Sequence, residues 1–196
     1  MSEKTNRQIE SDKRRLHILE TAVVAFLELG YQRTGVREIA KRAGVSLGNL
    51  YNHFSGKEAV LIEIAQLEAL AVAPFIEGLK EDRSAPVCLA RFIKSYLPYA
   101  SQVDNVLLSV EILAEAVRTP AVAEAFGVTR KNLISSIADI LEALGQPHPT
   151  EVARLILDMI DAHARFLVFS GQACTRKDCD IVLKMVGSGI NLNLQE

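Results

Sequence analysis

The sequence predicts an all-α protein: an N-terminal three-helix helix-turn-helix domain followed by a bundle of about six helices. Three observations carry this. Apolar residues make up 49% of the 196 and recur three and four positions apart, the spacing that lines one face of a helix, while no stretch sustains strand alternation. Glycines, prolines and short polar clusters break the chain at helix-length intervals. Residues 36–54 read as two short helices joined by a tight turn. No internal repeat, heptad array or low-complexity tract interrupts the pattern.

Taken in order, Met1 to Asp12 is polar and expected to be loose. Ser11 to Leu29 is the first helix, with Leu16, Leu19, Ala22, Val23, Phe26 and Leu27 on its apolar stripe and Gly30 closing it. Lys13, Arg14 and Arg15 crowd its start, where cations oppose the helix dipole, and read either as facing a nearby polyanion or as a solvated charge run. Thr34 is placed to cap the second helix, in which Val36, Ile39, Ala40 and Ala43 share one face. Gly44 follows at once and can take the left-handed conformation that turns the chain sharply. Ser46 caps the third helix, whose Leu47, Leu50 and Phe54 lie inward.

Ser55 and Glu58 have the spacing of a capping box for a long helix from Gly56 to Lys80, kinked at Pro74. After the polar break Glu81–Ala85, Pro86 opens a helix reaching Ser101. Further helices are expected over 104–117, 120–144, 151–169 with Thr150 as cap, and 178–191, the last weakened by Gly187 and Gly189. Residues 1–55 form one domain on this reading and 56–196 the other.

Composition narrows the function. The net charge of −2 argues against nucleic acid until its distribution is read. Residues 1–56 hold nine Lys/Arg against six Asp/Glu, whereas 57–196 hold thirteen against eighteen. A basic module on an acidic body suits local contact with phosphates. No apolar run approaches the ~18 residues of a membrane span, and the opening residues do not read as a signal peptide, so a cytoplasmic protein without membrane contact is expected. Three cysteines, Cys88, Cys174 and Cys179, are an odd set that suits reduced, incidental thiols. A redox switch at the Cys174–Cys179 pair is the alternative. There is no Gly-rich phosphate loop, nucleophile elbow or paired-histidine metal motif, so neither an enzyme nor a metal or cofactor site is expected. Asp158 and Asp161, with Arg154 and Arg165 nearby, read as a solvated or ion-paired face, and Glu111 and Glu115 carry the same reading.

The outward face of the third helix is the most informative surface. Gly48, Asn49 and Asn52 point out, flanked by Tyr51 and His53, with no acid among them. Asparagine matches an adenine edge through both amide groups, and phenol and imidazole donate to phosphates.

Thr34, Val36, Ile39-Ala40, Ala43-Gly44-Val45-Ser46, Gly48, Leu50-Tyr51, His53-Phe54 and Lys57-Glu58 together resemble the DNA-binding signature of the tetracycline-repressor (TetR) family. The resemblance covers about Leu16 to Ile64. It implies a dimeric transcription factor, usually a repressor, that binds a palindromic double-stranded DNA operator and is released by a small ligand. DNA contact then falls to Thr34, Ser46, Leu47, Gly48, Asn49, Tyr51, Asn52, His53 and Lys57. Leu47 departs from the pattern, where a polar or small residue is common. An all-helical interaction module without DNA binding is the competing class.

Two further expectations concern the body. The helices over 151–169 and 178–191 are apolar on more than one face, which suits a homodimer interface of two helices from each partner. A mostly apolar or aromatic effector calls for apolar walls with a few polar handles, for which Tyr96, Tyr99, Phe126, His163 and Phe166 are the candidates. For His163 the first reading is a satisfied core histidine, and a polar contact inside a ligand cavity is the second.

Overall fold

The structure, a computed structural model, describes residues 6–81, 83–191 and 194. Among them are nine helices and no strand: α1 (Asn6–Leu29), α2 (Val36–Arg42), α3 (Leu47–His53), α4 (Lys57–Leu79), α5 (Ala85–Ala100), α6 (Val103–Ala116), α7 (Pro120–Ala143), α8 (Pro149–Phe169) and α9 (Arg176–Gly189). The expected loose start divides: residues 1–5 lie outside the described residues, while Asn6–Asp12 is already helical. Lys13, Arg14 and Arg15 therefore sit in the second and third turns of α1, not at its start.

The helix ends are set by local chemistry. Gly30 and Gly44 both have positive φ, +81° and +64°, and stop α1 and turn the chain after α2. The Ser46 hydroxyl accepts from the Asn49 backbone N–H at 3.1 Å, an N-cap for α3. Three expected caps are corrected. Gly35, not Thr34, precedes α2, because the Thr34 hydroxyl donates back to the carbonyls of Gly30 (2.8 Å) and Ala25 (3.2 Å). α4 opens at Lys57, with the Gly56 carbonyl accepting from Val60, one residue later than a Ser55–Glu58 box requires. α8 opens at Pro149 behind His148 in the left-handed conformation, which leaves Thr150 inside the helix. A capping box does form at α9, where Thr175 and Asp178 satisfy each other's free groups.

The chain packs into two compact units. The first takes the residues up to Leu67 together with Leu108–Phe126, and the second takes Glu68–Leu107 together with Gly127 onward. Packing thus groups the chain differently from a boundary at 55/56. The first core is built on Ile18, Phe26, Ile39, Leu50, Leu61 and Ile64, joined by Ile112, Val122 and Phe126. The second is built on Leu89, Ile93 and Leu97 of α5, Ile137 and Leu141 of α7, Leu157 and Ile160 of α8, and Val182 and Leu183 of α9. α4 has the length and apolar composition of a membrane span, with a mean hydropathy of 1.8. That exceeds the sequence expectation, but its Val60, Leu61, Ile64, Val72 and Leu79 are buried in protein cores.

Within the first unit, two carboxylates from α6 hold the loop after α1. Glu111 Oε2 accepts the Tyr31 backbone N–H at 2.9 Å, and Glu115 Oε2 accepts from the Gln32 amide at 2.6 Å. Neither acid is simply solvated or ion-paired: both satisfy groups in the α1–α2 loop. A Cβ at Gly30 would lie 3.3 Å from Glu111 Oε1, whereas one at Gly44 meets nothing within 4 Å. Gly44→Ala should therefore cost only the left-handed strain, about 1–2 kcal/mol, while Gly30→Ala adds displacement of Glu111 and costs more. Thermal melts check this: at roughly 2–4 °C per kcal/mol, Gly30→Ala should give the larger drop.

Candidate DNA-reading face and effector site

α3 is placed by its inward residues. Leu50 is fully buried and Phe54 almost so, both in the first core beside Ile39, Ala40 and Ile64. Leu47 is half-buried against the same core. The opposite side then faces outward: Ser46, Gly48, Tyr51 and Asn52 are exposed, with Asn49 and His53 half-buried at the margins. Tyr51 is 49% exposed although it is a large aromatic on a small module. Exposed aromatic and amide groups on a helix that itself carries no acid fit a partner that is both flat and anionic.

Beside this face lies a cleft of about 550 Å³, lined by Glu10, Lys13, Arg14 and His17 of α1 and by Ala43–Ser46 and Asn49. The polyanion expected near Lys13 and Arg14 thus has a place to lie, but Arg15 does not join it. Arg15 pairs with Glu63 at 2.5 Å, lies 5.0 Å over the Phe54 ring and donates to the His53 carbonyl. Asn49 lines the cleft, and its Oδ1 is enclosed without a hydrogen-bond partner.

Two of the sequence-predicted DNA residues are turned inward. Thr34 is 1% exposed and its hydroxyl is committed to α1 carbonyls, so it holds the loop and does not present itself on the surface. Lys57 donates to the Tyr31 carbonyl at 2.8 Å and lies 4.0 Å over the Tyr31 ring. Burial lowers the Lys57 pKa against the opposing charges of Glu115 and Glu111. Its ammonium stitches α4 to the α1–α2 loop.

The five effector candidates do not form one site. Tyr96 and Tyr99 belong to an aromatic cluster in the second unit: Phe75 lies 5.3 Å from Tyr96 and 5.0 Å from Tyr99, and Phe92 stacks on Tyr96 at 5.0 Å. Phe126 is buried in the core of the first unit. His163 Nε2 faces Asp178 Oδ1 at 3.3 Å, so it is satisfied by the residue that caps α9. Phe166 is 57% exposed.

The structure adds two residues that sequence reasoning missed. Arg130 of α7 donates to both Asp161 (2.7 Å) and Asp158, which bears out the ion-paired reading of that face with a partner 28 residues and more away. Glu68 of α4 has an enclosed Oε2 with no partner. Its signal was visible: it is a lone acid in the run Ile64–Ile76. Cys179 is buried, and burial followed by the neighbouring Cys174 pushes its thiol well above the ordinary range. Since the thiolate is the nucleophile, Cys179 is poorly set for oxidation. Among the described residues, no three His, Cys, Asp or Glu side chains converge to hold a metal ion.

Burial, then the Asp161 charge, push the Glu68 carboxyl from 4.5 up to about 7, against the pull of Arg130. The phenols of Tyr96 and Tyr99 are raised chiefly by burial and further by the Glu68 charge. A carboxyl raised on folding keeps a proton that the unfolded chain has lost, so stability falls as pH rises from about 4.5 through 7. Glu68→Gln should remove this loss. The variant should exceed the parent at pH 8 by up to about 3 kcal/mol and match it near pH 4, as urea melts at the two pH values would read.

Comparison with known proteins agrees with this architecture. Residues 18–64 match the family model of bacterial regulatory proteins of the tetR family, and residues 87–164 match that of the tetracyclin repressor-like C-terminal domain. The transcriptional regulator UidR of Escherichia coli K12 is 32% identical over 119 residues, covering 60% of this chain and 59% of UidR. A TetR-family transcriptional regulator from Mesorhizobium loti superposes with a TM-score of 0.74 at 22% identity, covering 95% of this chain and 98% of that one. SmeT in complex with triclosan superposes with a TM-score of 0.71 at 22% identity, covering 90% and 91%. With both units matched by its models, the chain belongs to the TetR family of bacterial regulators.

Proposed function

We propose that the chain is a transcription regulator that reads double-stranded DNA as a homodimer and leaves its operator when a small effector binds. The observation that carries the reading is the exposed acid-free face of α3, with Ser46, Gly48, Tyr51 and Asn52 outward beside a cleft carrying Lys13, Arg14 and His17. Tyr51 and the α1 cations take phosphates, and Asn52 takes a base edge. Thr34 and Lys57 act behind the face by fixing the loop and the start of α4. Such a regulator works in the cytoplasm.

Dimerisation is assigned to α8 and α9. Leu155, Phe166 and Phe169 recur along one stripe of α8, Phe169 being 92% exposed, and Ile181 and Met185 do so on α9. Apolar stripes of this size on two helices suit a two-fold four-helix interface, and one small module reads too few base pairs to be specific alone. The effector is assigned to the second unit, where the Phe75–Tyr96–Tyr99 cluster supplies aromatic walls. The triclosan bound to SmeT is an aromatic compound in a protein of the same fold. A ligand releases DNA only as far as it binds the released state more tightly.

Substitutions on α3 test the assignment. Asn52→Ala should cost about 1–3 kcal/mol on the preferred sequence and relax choice at one position. Tyr51→Phe should weaken binding to every sequence about equally. Competition with unrelated duplex separates the two effects, and equal weakening of specific and non-specific binding by Asn52→Ala would remove it from base reading.

A further inference from the structure

The second unit keeps a carboxylate that its own packing does not explain. Glu68 lies on the same face of α4 as Val72 and Phe75, four and seven positions on, and Val72 is buried in the core. Its Oε2 is enclosed and accepts no hydrogen bond. The preceding acid of α4, Glu63, has its partner in Arg15. The cation whose charge reaches Glu68 is Arg130, and both ends of that guanidinium are engaged by Asp158 and Asp161. Arg154 stands 4.0 Å from Asp158, and Arg165 acts on Asp161, so the nearby cations serve the other two acids. Glutamine would fill the same volume without a charge, and leucine without a polar group, so neither the shape nor the stability of the unit calls for an acid here.

The surroundings say what would complete it. Phe75, Tyr96 and Tyr99 bring three rings within 5.0–6.0 Å of one another, and both tyrosines feel the Glu68 charge. An enclosed carboxylate oxygen on the helix face that carries Phe75, whose ring packs with Tyr96 and Tyr99, favours a cation that donates a hydrogen bond and carries an apolar body. A neutral hydroxyl would meet the hydrogen bond but leave the charge uncompensated.

We infer that Glu68 anchors the protonated nitrogen of an aryl-alkyl amine or amidine, whose apolar body lies against Phe75, Tyr96 and Tyr99. This rests on the second unit being the effector-binding one and names the chemical class it takes.

Calorimetric titration of the full chain at pH 8 with matched pairs tests it: 1-naphthylmethylamine with 1-naphthylmethanol, 2-phenethylamine with 2-phenylethanol, and tryptamine with tryptophol. At least one amine should bind ten-fold or more tightly than its alcohol. Glu68→Gln should erase that preference while changing alcohol affinity less than three-fold, and Glu77→Gln, at an exposed position of the same helix, should bind like the parent. If Glu68→Gln does not fold, Glu68→Asp retracts the carboxylate by one methylene and should cut the preference at least three-fold. No amine preference in any pair, absence of binding included, or a preference that survives Glu68→Gln, overturns the inference. DNA release is read separately. A neutral compound that binds the second unit and releases DNA, without amine preference, sinks the anchor and leaves the effector reading intact. A preferred amine that never alters DNA binding upholds the anchor and sinks the release mechanism.

Discussion

The burial of Leu50 and Phe54 is the constraint on which the DNA-reading face depends. α3 has seven residues, far fewer than a helix needs to stand alone in water. It exists because Leu50 and Phe54 fill the first core beside Ile39 and Ile64. Once they are inside, the helical period leaves no freedom for the rest: Gly48, Tyr51 and Asn52 must face out. Everything else in the unit supports that placement. Gly44 turns the chain so that α3 meets the core at the right place, Ser46 caps it, and Arg15 covers the Phe54 ring while holding the His53 carbonyl.

The helices were legible in the sequence because their limits are local. Gly30, Gly44, Pro86, Pro120 and the 145–149 loop each act on the backbone within a few residues, so expected and observed helix ends differ by two positions or fewer after α1. The start of α1 was missed because polar composition marks solvent exposure, not irregularity. Caps were harder to place. Thr34 could serve α2 ahead of it or α1 behind it, and the choice is made by the Ala25 and Gly30 carbonyls.

The site was legible where it faces solvent and illegible where it depends on distant partners. The outward set of α3 follows from periodicity alone. The Tyr31 carbonyl and ring beside Lys57 were not legible, because that partner is brought near only by folding. Glu111 and Glu115 looked idle because the loop they hold lies about 80 residues earlier. The effector candidates were chosen by residue type, and type does not fix location: Phe126 went to the first core, His163 to Asp178, and Phe166 to the surface, leaving Tyr96 and Tyr99 together. Glu68 carried a readable sign, an acid on the inward face of an apolar helix, which a search for aromatic residues passed over.

The central claim is that two copies of this chain read one two-fold symmetric DNA sequence through α3. Selection of bound duplexes from a random pool, followed by sequencing, tests it most directly. The account predicts enrichment of an inverted repeat whose half-sites lie about one DNA turn apart, ~34 Å centre to centre. A pool that does not enrich, or that converges on a sequence without two-fold symmetry, would contradict it.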